Sequence, residues 1–281
     1  MRYIFTVTPG RSGQASLTDL VERCGTGVVP AFEEPQAHVR LPGVLGDLER
    51  RFRRRFIETH ELLGRGDVLR AFAAQDIAAL QRYAEARFAW MQRFAPKADI
   101  FFDISKFFIR GLHRQLVALA GRPKIVLLIR DPLLNMRSFV NRGKDFRLDN
   151  NSPADTVNEL RMPADMPASG LYLWAWTEGY LRGLRLAEEA GLDAPRCIFT
   201  HELENADAMA GHFNALEIPF QRIEIRKAMN TNESQGHGRT ELSLADIEAF
   251  ERWREAVPAA IWDRLHFMRG YDPRQHLEIK R

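Results

Sequence analysis

At 281 residues the chain is long enough to bury a sizeable core, as one large domain or as one domain with a helical insertion. Hydrophobic residues make up 45% and charged residues 27%, an ordinary globular balance, and a net charge of only +3 creates no global demand for nucleic acid. Two cysteines, Cys24 and Cys197, imply no disulfide framework; with no apolar run of membrane-spanning length and a start that opens directly into a strand, the expectation is a reduced, cytoplasmic protein without stable membrane insertion.

The first run, Tyr3-Ile4-Phe5-Thr6-Val7, is β-branched and aromatic and reads as a strand. It breaks at Thr8-Pro9-Gly10, and from about Gln14 a helical pattern follows, with Leu17, Leu20 and Val21 at i, i+3, i+4. Gly27 to Phe32 is a short strand that ends at Glu33-Glu34-Pro35. Residues 36 to about 95 are rich in arginine and carry a helical stripe at Ile77, Leu80, Ala84, Phe88 and Met91. They read as a helical insertion, or as helices covering one end of a sheet. Ala98 to Asp103 is a third strand, and Ile109, Leu112, Leu116 and Leu119 mark the helix after it.

Lys124 to Ile129 is the strongest strand, apolar without a break, as in a strand buried on both faces. Arg130-Asp131-Pro132 follows, with Asp131 suited to an N-cap and Pro132 to the first helical position. Residues 141 to 169 read as a loop or lid and about Leu171 to Ala190 as a long helix. Arg196 to Thr200 is a strand, Ala208 to Leu216 a short helix, and Asn230 to Arg239 a polar loop before a last helix near Leu242. Alternating strands and helices predict an α/β fold, a central parallel sheet with helices on both faces.

In such sheets ligands bind beyond the carboxyl ends of the strands. Arg11, Glu34, Lys106 and Arg130 each follow a strand and should share that edge. The loop Gly10-Arg11-Ser12-Gly13-Gln14-Ala15-Ser16 forms an anion cradle: glycines allow close approach, and amides at a helix start favour negative charge. Arg11 adds a planar charged fork. The loop is not a Walker A motif, because no lysine follows Gly13. Arg130 and Ser138, eight residues apart, form a second candidate anion site.

Together these loops resemble the PAPS-dependent sulfotransferase superfamily. Thr8-Pro9-Gly10-Arg11-Ser12-Gly13 looks like its 5′-phosphosulfate loop, of which G-R-S-G-T-T is a common bacterial form also similar to carbohydrate sulfotransferases. Ile129-Arg130-Asp131-Pro132 with Ser138 looks like its 3′-phosphate element. Glu34-Pro35, Asp103-Ile104-Ser105-Lys106 and Thr200-His201-Glu202-Leu203 are weaker echoes in the family order. Gln14 and Ala15 depart from the paired threonines, although the Gln14 amide can still donate.

The resemblance implies a P-loop-like sulfotransferase fold and transfer of a sulfuryl group from PAPS to a hydroxyl of a carbohydrate or small-molecule acceptor. Adenosine 3′,5′-bisphosphate is released and no metal is required. Glu34 would be the base, with Glu33 its competitor; Arg11 and the loop amides would stabilise charge, and Lys106 would donate to the transferring group or to the leaving oxygen. The helical region at about 36–95 would help shape the acceptor pocket. Arg239 would touch the 3′-phosphate. The alternatives are a nucleotide kinase or phosphotransferase, and a non-catalytic nucleotide-binding relic. The arginines from Arg50 to Arg55 read as a solvated helix face, or as a seat for an acidic acceptor, with no nucleic-acid partner. Trp90, Trp174 and Trp176 read as core ahead of acceptor stacking, and His60 and His113 as structural or exposed. Acceptor identity and oligomeric state are left open by the sequence.

Overall fold

The computed structural model describes residues 1–32, 44–45, 48, 66–141, 148, 151–226 and 241–275. Its centre is a sheet of β1 (Arg2–Val7), β2 (Val28–Phe32), β3 (Ile100–Ile104), β4 (Lys124–Ile129) and β5 (Arg196–Phe199). The strands pair in the order β2-β3-β1-β4-β5, every pairing parallel. The helices among the described residues are α1 (Gln14–Cys24), α2 (Asp67–Ala73), α3 (Ile77–Phe94), α4 (His113–Ala120), α5 (Pro132–Val140), α6 (Ala168–Glu189), α7 (Ala206–Ala215), α8 (Leu244–Ala256) and α9 (Ala259–Arg264).

Strand alternation divides the core into two layers. Ile4, Phe102, Val126 and Leu128 pack with Leu17, Leu20 and Val21 of α1 and with Met209 and Phe213 of α7. Tyr3, Phe5, Val7, Phe101, Ile125 and Leu127 face the layer that contains α2 to α6 and α8. Both faces of the sheet are therefore covered, which explains why β1 and β4 are apolar at nearly every position.

The chain builds β2 and β3 on one side of β1 and then crosses to place β4 and β5 on the other. The turns after β1 and β4 consequently leave adjacent strands at the same carboxyl edge. Helix α6 lies directly on this centre: a Cβ at Gly183 would come within 2.8 Å of Val7. Only glycine lets the helix sit that close to the end of β1. Trp174 and Trp176, 0% and 2% exposed, are core residues of α6.

Most elements lie within two or three residues of where the periodicity places them. Three details differ. The helix expected through Ile109 begins as a π-helical turn over Phe108–Leu112 before α4. The last strand stops at Phe199, and Thr200–Glu204 is a 3₁₀ turn. The described part of the 36–95 region, α2 and α3, packs on the sheet: Phe88 lies 5.0 Å from the Tyr3 ring, and Arg87 pairs with buried Asp103 at 3.1 Å.

Residues 151–167, expected as a loop or lid, form turns anchored to α6. Glu178 accepts the Leu160 and Glu159 amides at 2.9 and 3.3 Å, and Arg182 donates to Glu178 at 2.6 Å and to Asn158 Oδ1 at 2.7 Å. Both side chains of this ion pair are fully buried. Burial pushes the Glu178 carboxyl up from its ordinary range, opposed by Arg182.

Candidate active site

The turn between β1 and α1 reverses its backbone in four residues. Gly10, Arg11 and Gly13 have φ of 97°, 58° and 84°, all in the left-handed region. Glycine meets that demand at two positions; Arg11 meets it at a steric cost. Gly13 is also packed closely, since a Cβ there would lie 2.7 Å from Leu203 Cδ1. It has no side chain to cap α1, so the first amides of that helix point out of its amino end without an intrahelical carbonyl.

Five consecutive carbonyls in this turn are held by donors from behind. Arg110 Nη2 donates to Pro9 O at 3.4 Å, and Asn135 Nδ2 to Gly10 O at 2.9 Å, with Ser12 Oγ adding a bond to Gly10 O at 3.2 Å. Arg130 Nη1 donates to Arg11 O at 2.9 Å; the Thr200 hydroxyl lies 3.1 Å from both Ser12 O and Ile129 O and shares its hydrogen; Leu17 N donates to Gly13 O at 2.9 Å. Turning a run of carbonyls one way turns amides the other way. The result is a backbone concavity with donor character, set at the amino end of an 11-residue helix.

Of the four residues expected at the edge, Arg11, Lys106 and Arg130 come to this turn. Arg11 Nε lies 3.3 Å from Ser138 Oγ and donates to it, so the two loops expected to hold separate anionic groups meet. Burial pushes the Arg130 guanidinium below its ordinary value, with Asp131 beside it opposing. Asp131 caps α5 as expected, its Oδ1 accepting from Leu134 N at 2.9 Å. Lys106 follows β3 by one buried residue, Ser105, and its Cδ lies 3.0 Å from where a Gly10 Cβ would be. Ala15 and Ser16 are half-buried on the first turn of α1.

Gln14 begins α1 at the inner side of the turn. Its side-chain amide donates to Ile104 O at 3.4 Å, tying α1 to the end of β3, and the residue is 5% exposed. Glu34, Glu33 and Arg239 lie outside the described residues, as do the arginines from Arg50 to Arg55 and His60. Asp103 of the D-x-S-K stretch is committed to Arg87. His113 is buried beside the Phe72 and Phe108 rings, and burial, followed by the Arg182 charge, pushes its imidazole well below the ordinary range.

Three residues of the site do not stand out in the sequence. Asn135 lies one helical turn before Ser138, a spacing that could have exposed it. Thr200 enters only within a weak motif. Arg110 has no legible place, because its direction depends on the π-helical turn. Behind them, Trp176 Nε1 donates to Arg130 O at 3.0 Å and the Tyr180 hydroxyl to Leu128 O at 2.6 Å, fixing β4 to α6.

Among the described residues no cluster of three or more His, Cys, Asp or Glu could hold a metal ion, and no helix is long and apolar enough to cross a membrane. Cys24 and Cys197 are free thiols; burial pushes that of Cys197 up to about 11.

No protein-family model and no curated relative matches the chain. Among solved structures it is similar to the sulfotransferase domain from the Synechococcus PCC 7002 olefin synthase, with 17% identity and a TM-score of 0.48 over 96% of this chain and 94% of that one.

Proposed function

We propose that the protein is a sulfotransferase that moves a sulfuryl group from PAPS to a hydroxyl of a carbohydrate or small-molecule acceptor. The observation that carries this reading is the row of tied-back carbonyls from Pro9 to Gly13, with Arg11, Arg130 and Ser138 gathered beside it. That donor set suits a doubly anionic nucleotide, and the motifs at both loops resemble those of the PAPS-dependent superfamily. The missing lysine after Gly13 removes the main support for an ATP-using kinase.

PAPS supplies an activated sulfur; the S–O bond to its 5′-phosphate breaks as the acceptor oxygen bonds to sulfur. The turn amides and Arg11 hold the leaving phosphate and stabilise its charge. Arg130 and Ser138 hold the 3′-phosphate and fix the direction of approach, and Lys106 donates toward the transferring group. Glu34 takes the acceptor proton, a contribution worth ~10²–10⁴-fold in rate. Arg239 contacts the 3′-phosphate.

A second reading is a binding protein that has lost transfer. The observation favouring it is Gln14, which spends its amide on Ile104 O where the related motif has a hydroxyl. Thermal-shift measurements with adenosine 3′,5′-bisphosphate and with ATP plus magnesium test the site. Stabilisation by the bisphosphate alone is expected, and the reverse pattern overturns the proposal. Label transfer from PAPS into acceptor pools then separates enzyme from binding protein.

A further inference from the structure

The π-helical turn over Phe108–Leu112 directs Arg110 against the candidate anion turn. The inference drawn from it rests on the reading of that turn as an anion site. A π turn is rare, and it rotates the residues on either side of it by about 100° relative to a continuous α-helix, one residue's worth of helical turn. Here the turn is locked on two sides. Phe108 stacks on Phe5 of β1 at 4.6 Å with rings 3° from parallel. A Cβ at Gly111 would meet Val68 Cγ1 at 3.0 Å, so the backbone also lies close to α2.

This rigid platform holds Arg110, 3% exposed, with Nη2 at 3.4 Å from Pro9 O, a long hydrogen bond. Its Cζ lies 5.4 Å from the Phe107 ring centroid, and Lys106 Nζ lies 5.0 Å from the same centroid. Lys106 in turn crosses Gly10 with its stem. Two cations thus share one ring and flank the Pro9–Gly10 turn.

We propose that Arg110 is a positioning residue of the anion cradle, adding fixed positive charge beneath the Pro9–Gly10 turn, and that the π-helical turn is the device that delivers it. The ligand chemistry is a compact polyanion such as the phosphosulfate group of a nucleotide. Arg110 acts through the turn and not on reacting atoms, so its loss changes anion affinity and KM more than kcat.

The test compares Arg110→Gln, which keeps a donor and drops the charge, with Arg110→Lys, which keeps the charge. Each variant of the full chain is titrated calorimetrically with inorganic pyrophosphate at low and high salt, and separately with adenosine 3′,5′-bisphosphate. Arg110→Gln is expected to bind pyrophosphate about tenfold more weakly with a flatter salt dependence, as loss of one charge-assisted contact implies. Arg110→Lys should stay within about threefold of the parent protein.

Equal pyrophosphate affinity in Arg110→Gln and the parent overturns the inference, as does an equal loss in both variants or no pyrophosphate binding by the parent. If the Gln variant does not fold, a loss beyond tenfold in the Lys variant overturns it and a retained salt slope supports it. Failure of the bisphosphate alone to bind the parent sinks the sulfotransferase reading, and pyrophosphate binding then decides the role of Arg110 by itself.

Discussion

Helix α6 supports two buried polar networks of opposite kinds. On the side of residues 151–162, Glu178, Arg182 and Asn158 bond one another: cation meets carboxylate, the carboxylate also accepts backbone amides, and Arg182 Nη1 alone is left without a hydrogen-bond partner among the described residues. On the β4 side, through Trp176 and Arg130, the network ends in a turn whose carbonyls are all engaged from behind. The first network closes its charges on itself. The second, open toward the turn, gathers Arg11, Lys106, Arg110 and Arg130 around one short run of backbone. Burial alone does not separate them, since each contains nearly inaccessible arginines. The direction of the donors does, and it sets what a substitution in each should damage.

The largest effect is expected in the closed network. Glu178→Ala leaves Arg182 buried without its carboxylate and should lower unfolding stability by about 3–5 kcal/mol in urea titration. Anion affinity of the protein that remains folded should be unchanged; a matching loss of affinity would show that the two networks act as one.

Arg130→Met tests the open network. Affinity for adenosine 3′,5′-bisphosphate should fall about 10- to 100-fold by calorimetry, as expected for a lost charged hydrogen-bond partner. Unfolding stability should fall by only about 1–2 kcal/mol, because the Arg130 bond to the Arg11 carbonyl is only partly buried.

Gly13→Ala touches both properties. The new Cβ meets Leu203 and forces a left-handed residue, so stability should fall by about 1–3 kcal/mol and anion affinity with it. Equal affinity in this variant would show that the turn's shape is not what binds.

The smallest effect is one of pH. His113 stays neutral in the folded chain because burial and the nearby Arg182, Arg114 and Arg185 charges disfavour the imidazolium. The unfolded chain takes up that proton near pH 6.5, so stability should decline as pH falls below about 6.5, by at most about 1.4 kcal/mol per pH unit. His113→Gln should flatten this slope in pH-resolved thermal melts, whatever its own stability.

Much of the fold was legible because burial writes itself into spacing. The unbroken run Lys124–Ile129 named a strand covered on both faces, and Asp131-Pro132 named the start of α5. The shared edge of Arg11, Lys106 and Arg130 followed from strand polarity. Helix boundaries in the α6 region came within three residues because its apolar periodicity is long. Arg110 was not legible, because a stripe at Ile109, Leu112, Leu116 and Leu119 fits an ordinary helix as well as one that opens with a π turn. Neither was the orientation of Gln14: a polar residue at a helix start suits an anion and a neighbouring carbonyl equally. Asn135 had no legible role, because its bonds to Gly10 O and Ser12 Oγ depend on how α5 and the turn meet.

Arg11 leaves a trade-off in the fold. A left-handed backbone at φ 58° suits glycine or asparagine, and a long side chain there costs roughly 1–2 kcal/mol of stability. A sequence optimised only for folding would therefore drop the arginine. Keeping it stores conformational strain at the one position where the side chain reaches Ser138 across two loops. Variants selected at this position for heat resistance alone should drift toward the small residues and lose affinity as they gain robustness.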